Sequence, residues 1–143
     1  MGFAGALAYV TVDQFVPNNA PSFVDMGATV YDEGGWWSNG NPRRLTVPPG
    51  VQRVRVFAGF TFDHNPSGVR QVVIKKNGAF ITGGASPENI LANARTSANL
   101  QSFTGVLSVS PGDYFESEAF QNAGGGLLLL TGSWFSIEKV EGS

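Results

Sequence analysis

The sequence predicts an all-β domain, a sandwich or barrel of about eight to ten short strands. Three observations lead there. Apolar and polar residues alternate in short runs rich in Val, Phe, Ile and Thr, the pattern of half-buried strands. The 19 glycines and 8 prolines divide these runs with turn signals. A single stretch, Pro87 to Ala98, offers a helix, with Ser86 as cap and Glu88 in its first turn; a loop or one helical turn fits it equally well. Strands without intervening helices argue against a parallel sheet. The span 1–143 is the size of one domain with one core.

In chain order, Ala8 to Val12 and Phe23 to Tyr31 read as strands around a Pro17-Asn18-Asn19-Ala20-Pro21 loop, and Asp32-Glu33-Gly34-Gly35 turns the chain before Trp36-Trp37. After Pro48-Pro49-Gly50, the run Val51 to Phe62 places Val54, Val56, Ala58, Phe60 and Phe62 on one face. Arg53, Arg55, Phe57 and Thr61 fall on the other. Val69 to Lys76 and Ala79 to Thr82 flank Asn77-Gly78, a dipeptide that accepts positive φ at both centres of a type I′ turn, so a tight hairpin is expected. Leu100 to Val109, Asp113 to Phe120, Leu127 to Thr131 and Trp134 to Val140 complete the series, joined by Ser110-Pro111-Gly112 and Gly124-Gly125-Gly126.

Composition narrows the function. Charged residues make up 14% of the chain, well below the roughly 25% usual for soluble domains, and so neutral a surface favours self-association. A net charge of −2 provides no basic field for nucleic acid. No run approaches the roughly 20 apolar residues that span a bilayer, so a soluble chain without membrane insertion is expected. With no cysteine and one histidine, zinc sites and thiol nucleophiles are excluded for practical purposes. The apolar start Met1 to Leu7 lacks the preceding basic residues of a secretory signal.

The second half of the chain resembles the jelly roll of the C1q and tumour-necrosis-factor-like superfamily. The similarity runs through Gly50-Val51-Gln52-Arg53-Val54-Arg55-Val56-Phe57 and Arg70 to Gly78. It is closest over Thr104-Gly105-Val106-Leu107-Ser108-Val109-Ser110-Pro111-Gly112-Asp113-Tyr114-Phe115, and Ser133-Trp134-Phe135-Ser136-Ile137 looks like the closing strand. The front, with Tyr31-Asp32, Trp36-Trp37 and Leu45-Thr46-Val47-Pro48, is similar to stand-alone C1q-like domains of tailed phages, prophages and gene transfer particles. The resemblance implies a jelly-roll sandwich of about ten strands that forms a homotrimer, with the sheet of the first, third, sixth and last main strands facing the threefold axis. No collagen-like Gly-X-Y stem is present, so no complement or cytokine role carries over.

On that implied frame, alternation puts Phe115, Ser117 and Ala119 in the core and Tyr114, Glu116, Glu118 and Phe120 toward the axis, with Arg53, Arg55 and Trp134 at the same interface. Glu116 and Glu118 lie on one strand face, as a glycosidase acid and base would. Cross-strand pairing with Arg53 and Arg55 explains them without catalysis, and a threefold cluster of carboxylates would also offer oxygen ligands to Ca²⁺. Of Trp36 and Trp37, adjacent residues on a strand, at least one must leave the core side. An exposed indole would offer a flat face and an N–H to a sugar; a buried pair would serve packing. Asn39, Asn41, His64 and Asn65, in loops over Asn39 to Asn41 and Asp63 to Ser67, add groups able to hydrogen-bond a hydroxyl-rich ligand, as does the loop Ala85 to Thr96. His64, the only histidine, has no Gly-x-Ser-x-Gly elbow to serve, and the glycine runs lack phosphate-loop spacing.

The expected function is therefore that of a binding module and not an enzyme: a trimeric spike or fibre component of a phage or phage-like particle, on the particle surface, contacting host polysaccharide or another receptor. A structural adaptor, base or decoration protein bound only to other virion proteins is the alternative. Neither reading requires a cofactor or a resident metal.

Overall fold

The computed structural model describes residues 2–83, 88–91 and 98–140. Fourteen short strands are present among them, and no helix. They are β1 (Gly5–Tyr9), β2 (Gln14–Val16), β3 (Ser22–Phe23), β4 (Ala28–Glu33), β5 (Arg44–Thr46), β6 (Arg53–Phe62), β7 (Val69–Lys76) and β8 (Ala79–Phe80). The series continues with β9 (Glu88–Leu91), β10 (Ala98–Phe103), β11 (Leu107–Ser108), β12 (Tyr114–Gln121), β13 (Leu127–Leu129) and β14 (Trp134–Lys139).

They form two antiparallel sheets. In the first, β6 pairs along one edge with β14, and with β13 at Leu129↔Phe62; β10 and β11 line its other edge. Beyond β14 come β1 and then β4, and β2 flanks β13. In the second, β12 and β7 form the centre, with β3 and β5 beside β12 and β8 and β9 beside β7.

The core between the sheets follows from alternation. Val54, Val56, Ala58, Phe60 and Phe62 of β6 point into it, as expected, and meet Phe135 and Ile137 of β14 and Val72, Ile74, Phe115 and Ala119 of the second sheet. Trp36, Phe60, Phe62, Phe115 and Phe135 are the largest side chains in this core, and such rings each bury about 150–250 Å². The Asn77-Gly78 turn also forms as expected, with φ of 51° and 81° closing β7 onto β8.

Several boundaries differ from the sequence reading. The first strand begins at Gly5, because residues 5–9 pair with both β14 and β4, and that pairing outweighs weak local propensity. The run Phe23 to Tyr31 splits into β3 and β4, which lie in different sheets. Leu100 to Val109 likewise breaks into β10 and β11. The helix considered over Pro87 to Ala98 is not supported where it is described: Glu88–Leu91 pair with β7 as a strand, and its remaining interior, 92–97, lies outside the described residues with the cap position Ser86.

Candidate functional site

The outward face of the first sheet is the candidate surface, and its composition follows from strand register. One row across the sheet reads Tyr31, Leu7, Ser136, Phe57 and Phe103 on β4, β1, β14, β6 and β10. The next reads Tyr9, Trp134, Gly59 and Gln101. The Trp134 indole lies against the backbone of β6 at Gly59, where an added Cβ would overlap it; glycine permits this approach. A third row, Glu33, Gly5, Glu138 and Arg55, carries the charge, with Arg55 Nη2 2.8 Å from Glu138 Oε1. Leu7, Tyr9, Tyr31, Val30 and Trp134 enclose a groove of about 420 Å³ on this face, and Phe103, 66% exposed, stands at the opposite edge. Contiguous exposed apolar surface of this kind marks an interaction site.

The second sheet corrects the expected interface. Tyr114, Glu116, Glu118 and Phe120 do point away from the core, opposite Phe115, Ser117 and Ala119, but β12 is not a neighbour of β6. They occupy the outward face of the other sheet from Arg53, Arg55 and Trp134, so the seven residues do not form one surface. Cross-strand pairing of Glu116 and Glu118 with Arg53 and Arg55 was expected, but the strands beside β12 are β3, β5 and β7. Glu116 meets Arg44 of β5 at 3.2 Å, and Glu118 meets Lys75 of β7 at 2.9 Å. Arg44 also stacks on Tyr114, and Lys75 lies near the rings of Phe23 and Phe80. Both carboxylates are buried beneath these cations. Among the described residues, no group of three His, Cys, Asp or Glu is placed to hold a metal.

Trp36 and Trp37 separate as alternation requires. Trp36 is buried in the core and its Nε1–H donates to Glu33 O at 3.0 Å. Trp37 is half-buried, bridges to Leu45, and donates its Nε1–H to Pro42 O at 3.0 Å. Asp32 fixes the pair by accepting both backbone N–H groups, at 2.8 and 3.1 Å. Both indole N–H groups are thus bonded to backbone carbonyls. Asn39 and Asn41 are exposed beside them, whereas His64 and Asn65 lie in the loop leading to β7, so the two sets of candidate ligand residues belong to different loops.

No family model matches the sequence, and no curated protein is detectably similar to it. Solved structures are similar in shape. Murine APRIL at pH 5.0 superposes with a TM-score of 0.64 at 14% identity, over 97% of this chain and 100% of that one. The globular domain of zebrafish complement 1qA gives 0.62 at 12% identity, over 97% and 98%. Eiger TNF from S. frugiperda gives 0.55 at 16% identity, over 100% and 96%. The fold is a C1q/TNF-type jelly roll. Gly112 and Asp113 lie in the turn between β11 and β12.

That turn carries a charged fastening. Asp113 accepts the Ser110 N–H at 2.9 Å and Asn77 Nδ2 at 3.1 Å, and Lys76 lies 3.6 Å away. The Ser110 hydrogen bond, chiefly, holds the Asp113 carboxyl below its ordinary range, against a smaller upward push from burial and with further help from Asn77 and Lys76. The folded pKa is thus below the unfolded one. The resulting stabilisation is fully present above the ordinary carboxylate pKa and disappears as pH falls through the folded value. Asp113→Asn is expected to lower the urea midpoint at neutral pH, and its gap from the unaltered protein should close on acidification; a gap independent of pH would assign the effect to packing.

At the end of the jelly roll where the 63–68 loop sits, Arg70 is fully buried, a residue that sequence reading did not single out. Its guanidinium donates to Ser67 O at 2.8 Å and Asn65 O at 3.0 Å, while Nε has no partner among the described residues. Burial lowers its pKa. The signal was available: in Val69-Arg70-Gln71-Val72-Val73-Ile74, alternation puts Arg70 on the same face as Val72 and Ile74. Gln121, opposite it on β12, is also buried and donates to Val16 O and Gly125 O. Asn18 and Asn122 add side-chain bonds to the backbone at Gly124 and Val69. These groups fasten loops.

Proposed function

We propose that this chain is a homotrimeric, non-catalytic interaction module of a phage or phage-like particle, displayed on the virion or extracellular particle surface as part of a spike or fibre that contacts host polysaccharide or another receptor. The observation that carries the trimer is the apolar outward face of the first sheet. Its groove at β1, β4 and β14 and its exposed Phe103 at β10 lie at opposite edges, an arrangement suited to head-to-tail contacts that close into a ring. The mixed charges of Glu33, Glu138 and Arg55 suit a second copy better than a strongly charged partner. The phage setting rests on the similarity of the front of the chain to phage C1q-like domains. Three copies would present weak sites together and gain avidity without new contacts.

A specific observation favours the adaptor reading for part of the molecule. Both indole N–H groups at Trp36 and Trp37 are bonded internally, which suits a packing role in contacts with other virion proteins. Native mass spectrometry of the purified chain tests the shared step. A species three times the 15.1 kDa chain mass supports the proposal, and a monomer at micromolar concentration overturns it. Host-cell and glycan binding by that trimer then separates the two roles, since an adaptor binds neither.

A further inference from the structure

We propose that Asn39 is a site of spontaneous deamidation that places a negative charge in the loop beside Trp37, and that the fold protects the same dipeptide at Asn77-Gly78. The chain has Asn-Gly steps at both positions. In such a step the glycine nitrogen attacks the asparagine Cγ. The new N–Cγ bond replaces the Cγ–Nδ2 bond, and Nδ2 leaves as ammonia with the proton given up by the glycine nitrogen. Water then opens the imide ring at either carbonyl, leaving aspartate or isoaspartate. No oxidant, reductant or cofactor enters. Glycine favours the attack because no Cβ obstructs it.

The two sites differ in side-chain freedom. Asn77 Oδ1 accepts the Tyr114 N–H at 2.9 Å and Nδ2 donates to Asp113 at 3.1 Å, while its backbone N–H donates to Tyr114 O at 2.8 Å. The Asn77 side chain can reach its own Gly78 nitrogen only by giving up both amide bonds. Asn39 is exposed, and its side chain has no hydrogen-bond partner among the described residues. It sits with Gly40 at the centre of a turn closed by Asn41 N–H to Ser38 O at 3.1 Å; the Gly40 N–H makes one exposed bond, to Ser38 Oγ at 3.2 Å, and the space on the side-chain side of Gly40 is otherwise open. Aspartate at 39 would make the loop anionic near Arg43. Isoaspartate would lengthen the turn by one bond and disturb the Ser38–Asn41 closure next to the Trp37–Pro42 hydrogen bond.

The test is to incubate the intact protein at mildly alkaline pH and physiological temperature, with a parallel sample in denaturant, and to follow both peptides by mass spectrometry. In the folded protein Asn39 should convert and Asn77 should convert at least about ten-fold more slowly, the factor set by breaking two modest hydrogen bonds. In denaturant the two should convert at similar rates. Equal rates in the folded protein would overturn the protection. An Asn39 that stays intact when folded, while both convert in denaturant, would overturn the site.

Discussion

Replacing Trp36 by alanine is expected to lower the unfolding free energy by about 3–5 kcal/mol, the range for emptying a buried aromatic site. The ring is 1% exposed within the main core cluster, and its loss also strands the Glu33 carbonyl that accepts Nε1–H at 3.0 Å. Leaving such an acceptor unsatisfied adds to the cavity term. Trp37→Ala should cost clearly less, because that ring is half-buried and packs at the margin of the core. Urea midpoints of the two variants, with unchanged slopes, provide the comparison. Equal losses would mean that Trp37 is as much a core residue as Trp36. A larger loss at Trp37 would reverse the assignment made from burial.

Under the proposed trimeric assembly, Phe103→Arg is expected to leave a monomer with the fold intact. Phe103 is 66% exposed in the isolated chain, so the monomer tolerates the change at a cost within about 0.5 kcal/mol. At a subunit contact the same substitution buries an unpaired guanidinium, which costs about 3–5 kcal/mol per interface. That is roughly a 10²- to 10³-fold or greater loss of affinity at each contact. Size exclusion and native mass spectrometry read the association, and thermal unfolding reads the fold. A variant that stays trimeric and equally stable would place the contact elsewhere, with the outward face of the second sheet as the next surface to alter.

The fold was legible where one physical rule decides it. Alternation along Arg53–Phe62 assigned both faces of β6, and the positive φ required at both centres of a two-residue turn located the hairpin at Asn77-Gly78. Strand neighbours were less legible. Glu116 and Glu118 could be placed on one face of β12, yet nothing in a two-residue period says which strand lies alongside. Their partners turned out to be Arg44 and Lys75, brought there by chain topology. The short β9 and the division of Leu100 to Val109 were hidden for the same reason: pairing with β7 and β6 defines them, and local propensity does not. Of the candidate site, Trp134 was visible from the closing-strand pattern. The groove was not, because Leu7, Tyr9 and Tyr31 become neighbours of Trp134 only through the registers of β1, β4 and β14.

The position of β14 has a consequence for biosynthesis. Residues 134–139 lie between β6 and β1, so the centre of the first sheet is completed by the last strand among the described residues. While the ribosome is still upstream of residue 134, β1 and β6 have been made but lack the strand that joins them. The apolar inner sides of both remain exposed until residues 134–139 have been made. Long-range pairing of this kind slows folding and prolongs exposure to aggregation. Closure of the sheet therefore waits for synthesis of β14, and the face that carries Trp134 comes into existence in the same event.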